Sequence, residues 1–156
     1  MMHLRREDKY RQNWSENIQY SSRQVLVPGT VHEVQTIVKK HPQIKVIGTR
    51  HCFNRIADTP ATHISLENLK QVHFETQHDG TTLVRFGAGL TYSQLIRAVD
   101  EKGDLAIANL PSLPHINVVG SMITATHGSG HNYPILAHWV TSMDIVLADG
   151  TLKTID

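Results

Sequence analysis

The chain has 156 residues, 40% of them hydrophobic, which suffices for one domain with a buried core. Fifteen basic against fourteen acidic side chains leave a formal charge of +1, and no basic run extends beyond Arg5-Arg6-Glu7-Asp8-Lys9-Tyr10-Arg11, so there is no electrostatic footprint for nucleic acid. No apolar run approaches the roughly 20 residues that span a bilayer, the start lacks the apolar core of a signal peptide, and the single Cys52 cannot form an internal disulfide; a cytoplasmic protein without a membrane partner is expected.

Residues 1–12 are polar and charged without periodicity and are expected to form a mobile lead-in, with the fold starting near Trp14. Asn13-Trp14-Ser15 has the form of a glycosylation sequon, which is accidental in a chain that is not secreted. After Pro28, Thr30-Val31-His32-Glu33 has the spacing of a capping box, and Val31, Val34, Ile37 and Val38 line one helical face up to His41-Pro42. Ile44, Val46 and Ile47, stopped by Gly48, predict a buried strand and with it a βαβ-like unit. From Gln71 the period changes to two: Val72 and Phe74 precede Asp79-Gly80, and Leu83, Val84 and Phe86 follow it, which predicts an antiparallel hairpin. Gly87-Ala88-Gly89 reads as a structural turn. Thr91-x-x-Gln94 then opens a second helix whose face is Tyr92, Leu95, Ile96 and Val99 and whose C-terminal cap is Gly103.

Between Asn109 and Gly130 the chain is rich in Pro, Gly, Ser, Thr and His yet keeps Ile116, Val118, Val119, Met122 and Ile123, which predicts a loop leading into a short buried helix. Met143, Ile145 and Leu147 alternate before Asp149-Gly150, and Leu152 and Ile155 resume, so the sequence is expected to be cut within a hairpin. The pattern predicts one α+β body of two lobes, residues 20 to about 88 and about 89 to 156.

Two stretches carry the candidate chemistry. Val46-Ile47-Gly48-Thr49-Arg50-His51-Cys52-Phe53-Asn54 places a histidine in a tight turn after a strand, where convergent backbone N–H groups suit a dinucleotide pyrophosphate. Some seventy residues later stands Gly120-Ser121-Met122-Ile123-Thr124-Ala125-Thr126-His127-Gly128-Ser129-Gly130. By itself, one histidine among eleven carries no special role. The paired stretches, however, resemble the PCMH-type FAD-binding domain of the vanillyl-alcohol-oxidase superfamily, and within it the alditol, xylitol and aldonolactone oxidases.

The resemblance covers residues 13–156 and implies a two-lobed FAD-binding domain, truncated at its C-terminal end, with the flavin between the lobes and the substrate domain absent. It implies that His51 carries FAD through the 8α carbon, and that Val46, Ile47, Gly48, Thr49, Arg50 and Cys52 line the cofactor with it. A neutral imidazole, the main form of an unperturbed histidine at pH 7, is the nucleophile such a bond requires. Ser112-Leu113-Pro114-His115-Ile116 is similar to alditol oxidases, which puts Ser112 at the flavin face within reach of a polyol hydroxyl. In the same register Asn117, Gly120, Thr124, Ala125, Thr126 and His127 fall on flavin-contacting positions. Asn13-Trp14-Ser15-Glu16-Asn17-Ile18 resembles the Asn-Trp-x-x-Asn entry of alditol and xylitol oxidases, with a packing role.

Two departures stand out. The family turn reads Gly-x-Gly-His-Ser, whereas here Arg50 and Cys52 flank His51. If the family glycine has a positive φ, Arg50 strains the turn; equally, its guanidinium would suit a pyrophosphate. Cys52 reads as a packing residue. No metal site is expected: His127 and His131 are four apart, but Gly128-Ser129-Gly130 opposes a helix between them. The implied reaction is oxidation of a primary alcohol of a sugar alcohol, with O2 as acceptor and H2O2 as product. The alternatives are an aldonolactone oxidase or dehydrogenase acting on a sugar lactone, and a non-catalytic flavin-binding remnant. Catalytic residues proper are expected outside these 156.

Overall fold

The computed structural model describes residues 10–156, so the expectation of a mobile lead-in over the first nine lies outside the described residues. For the rest of that lead-in the structure corrects it. Tyr10 is only 5% exposed and its hydroxyl donates to Ser65 Oγ at 3.2 Å, so the packed structure already includes Tyr10, ahead of Trp14. One aromatic ring inside a charged run gave no periodic signal.

The chain divides into two units, one running to Asn68 and completed by Trp139–Asp156, the other Leu69–His138. In the first, β1 (Gln24–Leu26), α1 (Val31–Lys40), β2 (Ile44–Val46) and β3 (Thr62–Ile64) form a three-stranded parallel sheet with its helical crossover, in the order β1-β3-β2. Both outer strands pair in parallel with β3, Gln24 and Ile44 each opposite Thr62. The expected βαβ unit is therefore present, with a third strand inserted. α1 forms because Thr30 Oγ1 accepts from Glu33 N, while the Glu33 carboxylate reaches back to Gly29 N at 2.6 Å. Val34 and Ile37 are its buried contacts.

The expectation of a buried β2 needs correction. As an edge strand it leaves Val46 56% exposed, whereas Ile47, just past its end, is 1% exposed and donates its N–H to Ile64 O. The core of this unit gathers Tyr10, Ile18, Tyr20, Val25 and Ile47. The C-terminal hairpin of Met143–Val146 and Leu152–Ile155 closes it, and Gln35 Nε2 of α1 donates to Gly150 O at 2.8 Å.

In the second unit an antiparallel hairpin, β4 (Val72–Thr76) and β5 (Thr82–Phe86), pairs Phe74 with Val84 around the expected turn. Its inward side chains Val72, Phe74, Val84 and Phe86 pack against Leu90, Tyr92, Leu95, Val99, Val118 and Leu136. α2 (Tyr92–Lys102) has the expected capping box, and Gly103 ends it at φ +78°. α3 (Val118–Ile123) is short; Val118 and Ser121 are buried, but Ile123 is 72% exposed. The division thus differs from the expected boundary near residue 88. The first hairpin buries its apolar face with α2, so it belongs to that unit, and the last hairpin returns to α1.

Candidate functional site

The His51 turn leaves the sheet at Ile47 and is held from outside by the entry segment. Asn13, 1% exposed, accepts from Ile18 N through Oδ1, and its Nδ2 lies within hydrogen-bond distance of Ser15 Oγ, Asn17 Oδ1 and the Cys52 carbonyl, the last at 3.0 Å. Trp14 N–H donates to the Arg50 carbonyl at 2.9 Å, and the Arg50 guanidinium donates to the Gln12 carbonyl at 3.1 Å. The carbonyls on either side of His51 are thus both turned toward the entry segment. Between them the His51 ring stacks on Trp14, centroids 5.0 Å apart and planes 27° from parallel. Both imidazole nitrogens are shielded from water.

Asn13 is consumed by these contacts, which gives the buried amide a structural task and makes the sequon inaccessible in the folded chain. Arg50 lies at φ +67°, the left-handed region that favours glycine. The turn strains a non-glycine residue there, and the guanidinium is engaged with the entry segment. Cys52 is a free, half-buried thiol whose pKa burial pushes up, which suits packing and not a reactive thiolate. Beyond the turn, Asn54 caps the 3-10 turn Arg55–Ala57.

The donor set of the turn fits an anionic group. Among the described residues the backbone N–H groups of Gly48, Arg50 and Cys52 donate to no protein acceptor, while the neighbouring carbonyls are taken up by Trp14 and Asn13. A turn that spends two of its carbonyls on the protein and keeps three of its N–H groups unspent among the described residues suits phosphate oxygens. Thr49 is half-buried and Gly48 exposed.

The second stretch lies in the other unit. Asn117 caps α3: Oδ1 accepts from Gly120 N at 2.7 Å, and Nδ2 donates to the carbonyls of Ala88 and Leu90. The N–H groups of Thr124, Ala125 and Thr126 donate to Met122 O, Met122 O and Ser121 O. What these positions still offer is the exposed surface at Thr124, Ala125 and His127 and the Thr126 hydroxyl, 3.4 Å from that of Thr124. Ala125 bends the chain at φ +53°. His127 and His131 sit on irregular chain, with His127 Nδ1 3.0 Å from Gly128 O.

Ser112 is exposed on a loop whose position has a cause that the sequence did not show. The first N–H groups of α2, from Tyr92 and Ser93, donate to the carbonyls of Ile116 and Pro114, at 3.1 and 2.6 Å. These unfilled helix donors pin the loop that carries Ser112. Gly87-Ala88-Gly89 is a close backbone crossing: Gly87 and Gly89 N–H donate to Gln71 and Leu69 carbonyls. A Cβ on Gly87 would overlap the Leu69 carbonyl.

A family model described as an FAD binding domain matches residues 22–156. The chain belongs to this FAD-binding family. It is 40% identical over 141 residues to the alditol oxidase of Streptomyces sp. (strain IKD472 / FERM P-14339), covering 89% of this chain and 34% of that protein. It is 32% identical over 133 residues to the D-arabinono-1,4-lactone oxidase of Yarrowia lipolytica (strain CLIB 122 / E 150), covering 81% and 25%. The chain therefore spans about a third or less of the length of these relatives. Among solved structures it superposes on the glucooligosaccharide oxidase of Acremonium strictum, described with a 6-S-cysteinyl, 8α-N1-histidyl FAD, at a TM-score of 0.83 with 14% identity, covering 99% of this chain and 34% of that one. The α+β fold is that of PCMH-type FAD-binding oxidases, and FAD is the cofactor of the family.

Proposed function

We propose that this chain is the flavin-holding part of an oxidase that converts a primary alcohol of a sugar alcohol to the carbonyl, with O2 as acceptor and H2O2 as product. The observation that carries the reading is the 40% identity to an alditol oxidase across 89% of the chain, joined to a His51 turn whose geometry suits a bound dinucleotide. Bound FAD supplies the two-electron chemistry. In the first unit Gly48, Arg50 and Cys52 present N–H groups to it; in the second, taken by itself, Asn117 fixes α3 and Ser112 stands on the loop pinned by α2.

His51 is proposed as the attachment site, in line with the histidyl link named for the Acremonium oxidase. Such a link would replace the His51 imidazole N–H and one C–H of the cofactor by an N–C bond, with dioxygen as the oxidant that takes up the two hydrogens as hydrogen peroxide. A cytoplasmic setting suits the single thiol. A second reading, a sugar-lactone oxidase, is favoured by the 32% identity to the Yarrowia enzyme. Peroxide release by the full-length protein, measured with xylitol, sorbitol and an aldonolactone in parallel, separates them. Turnover of the polyols above the lactone is expected; lactone turnover alone would overturn the alditol reading.

A further inference from the structure

We infer that Trp14 is a positioning residue for His51, fixing the plane of the imidazole that would carry the flavin. The inference rests on the reading of His51 as the attachment site. Three ties already fix the backbone on both sides of His51: Trp14 N–H to the Arg50 carbonyl, Asn13 Nδ2 to the Cys52 carbonyl, and Arg50 to the Gln12 carbonyl. They leave the imidazole torsions, and the ring torsion of histidine has a broad preference when nothing packs on it. The Trp14 face restricts that torsion, at a separation and tilt within the range of offset aromatic stacking.

Trp14 is itself 53% exposed, so it is not held there as a core residue, and its ring stacks on His51. A bond-forming step is steeply sensitive to alignment, and a misplacement of about 1 Å can cost on the order of 100-fold in rate. Trp14 thereby gives the entry segment a task beyond packing: it sets the aim of the nucleophile.

The test is the ratio of denaturation-resistant to total flavin in the full-length protein, compared for Trp14→Ala, Trp14→Phe and His51→Ala at equal time after FAD addition. Trp14→Ala is expected to lower the ratio by about tenfold or more while total FAD stays near that of the unmutated protein, and Trp14→Phe, which can still stack, is expected to restore most of it. An unchanged ratio in Trp14→Ala overturns the inference and leaves His51 standing. A folded, FAD-loaded Trp14→Phe protein that fails to attach flavin also overturns it. Resistant flavin in His51→Ala, or none in the unmutated protein, overturns the attachment reading and this inference with it.

Discussion

Arg50 occupies a backbone conformation that favours glycine, and the structure gives both the cost and the compensation. At φ +67° a side chain costs about 1 kcal/mol relative to glycine, while the guanidinium bond to the Gln12 carbonyl ties the entry segment to the turn. That engagement speaks against a dedicated pyrophosphate ligand. Arg50→Gly is therefore expected to keep or raise FAD occupancy, as read by titration at low and high salt. A loss that deepens at low salt would assign the guanidinium to the pyrophosphate.

His63 offers a separate residue-scale test. It is fully buried on β3, Nε2 lies 2.7 Å from the Ala57 carbonyl, and Nδ1 has no hydrogen-bond partner among the described residues. Burial holds the imidazole below its usual pKa. The folded chain therefore keeps His63 neutral, while the unfolded chain takes up a proton below about pH 6.5. Because the unfolded state binds more protons, this contribution to stability is present above about pH 6.5 and is lost as pH falls toward the folded value, at up to about 1.4 kcal/mol per pH unit. Denaturation midpoints across that range should fall with acidification, and His63→Gln should flatten the slope. An unchanged slope would remove His63 from the acid response.

At the scale of elements, local chemistry that repeats or caps was legible and sheet position was not. Thr30 and Thr91 open helices where the sequence places them, and Gly103 closes α2. The two hairpins follow from period-two patterns around Asp79-Gly80 and Asp149-Gly150. β3 gave no signal: a central parallel strand usually reads as an aliphatic run, and Thr62-His63-Ile64 buries two polar residues instead. The candidate turn and loop stand out in the sequence as motifs, whereas the contacts that support them do not. Nothing in the spacing of Asn13 and Trp14 shows that they bond to residues 50 and 52 or stack on residue 51, because those contacts cross nearly forty positions. The role of α2 in pinning the Ser112 loop is equally non-local. Gly87 gives the element-scale prediction. Gly87→Ala would press a methyl group into the Leu69 carbonyl, which already accepts from Gly89 N, and is expected to cost about 1–3 kcal/mol in denaturant unfolding. A change within experimental error would mean that the crossing is looser than described.

For the whole molecule, the chain divides into two compact units whose boundary differs from the one expected near residue 88, because β4 and β5 pack their apolar face with α2. Each unit then carries one of the two motif stretches: the His51 turn in the first, the Ser112 loop and α3 in the second. In the proposed reading, the first of these carries flavin through His51. Trypsin, cutting after Arg50 and Arg55, releases His51-Cys52-Phe53-Asn54-Arg55 as one peptide. Mass spectrometry of digests from the flavin-loaded full-length protein should find this peptide heavier by FAD less two hydrogens, with fragmentation placing the addition on His51. The unmodified peptide as the only form, in a protein that retains its flavin, or an adduct on any other residue, would contradict the account.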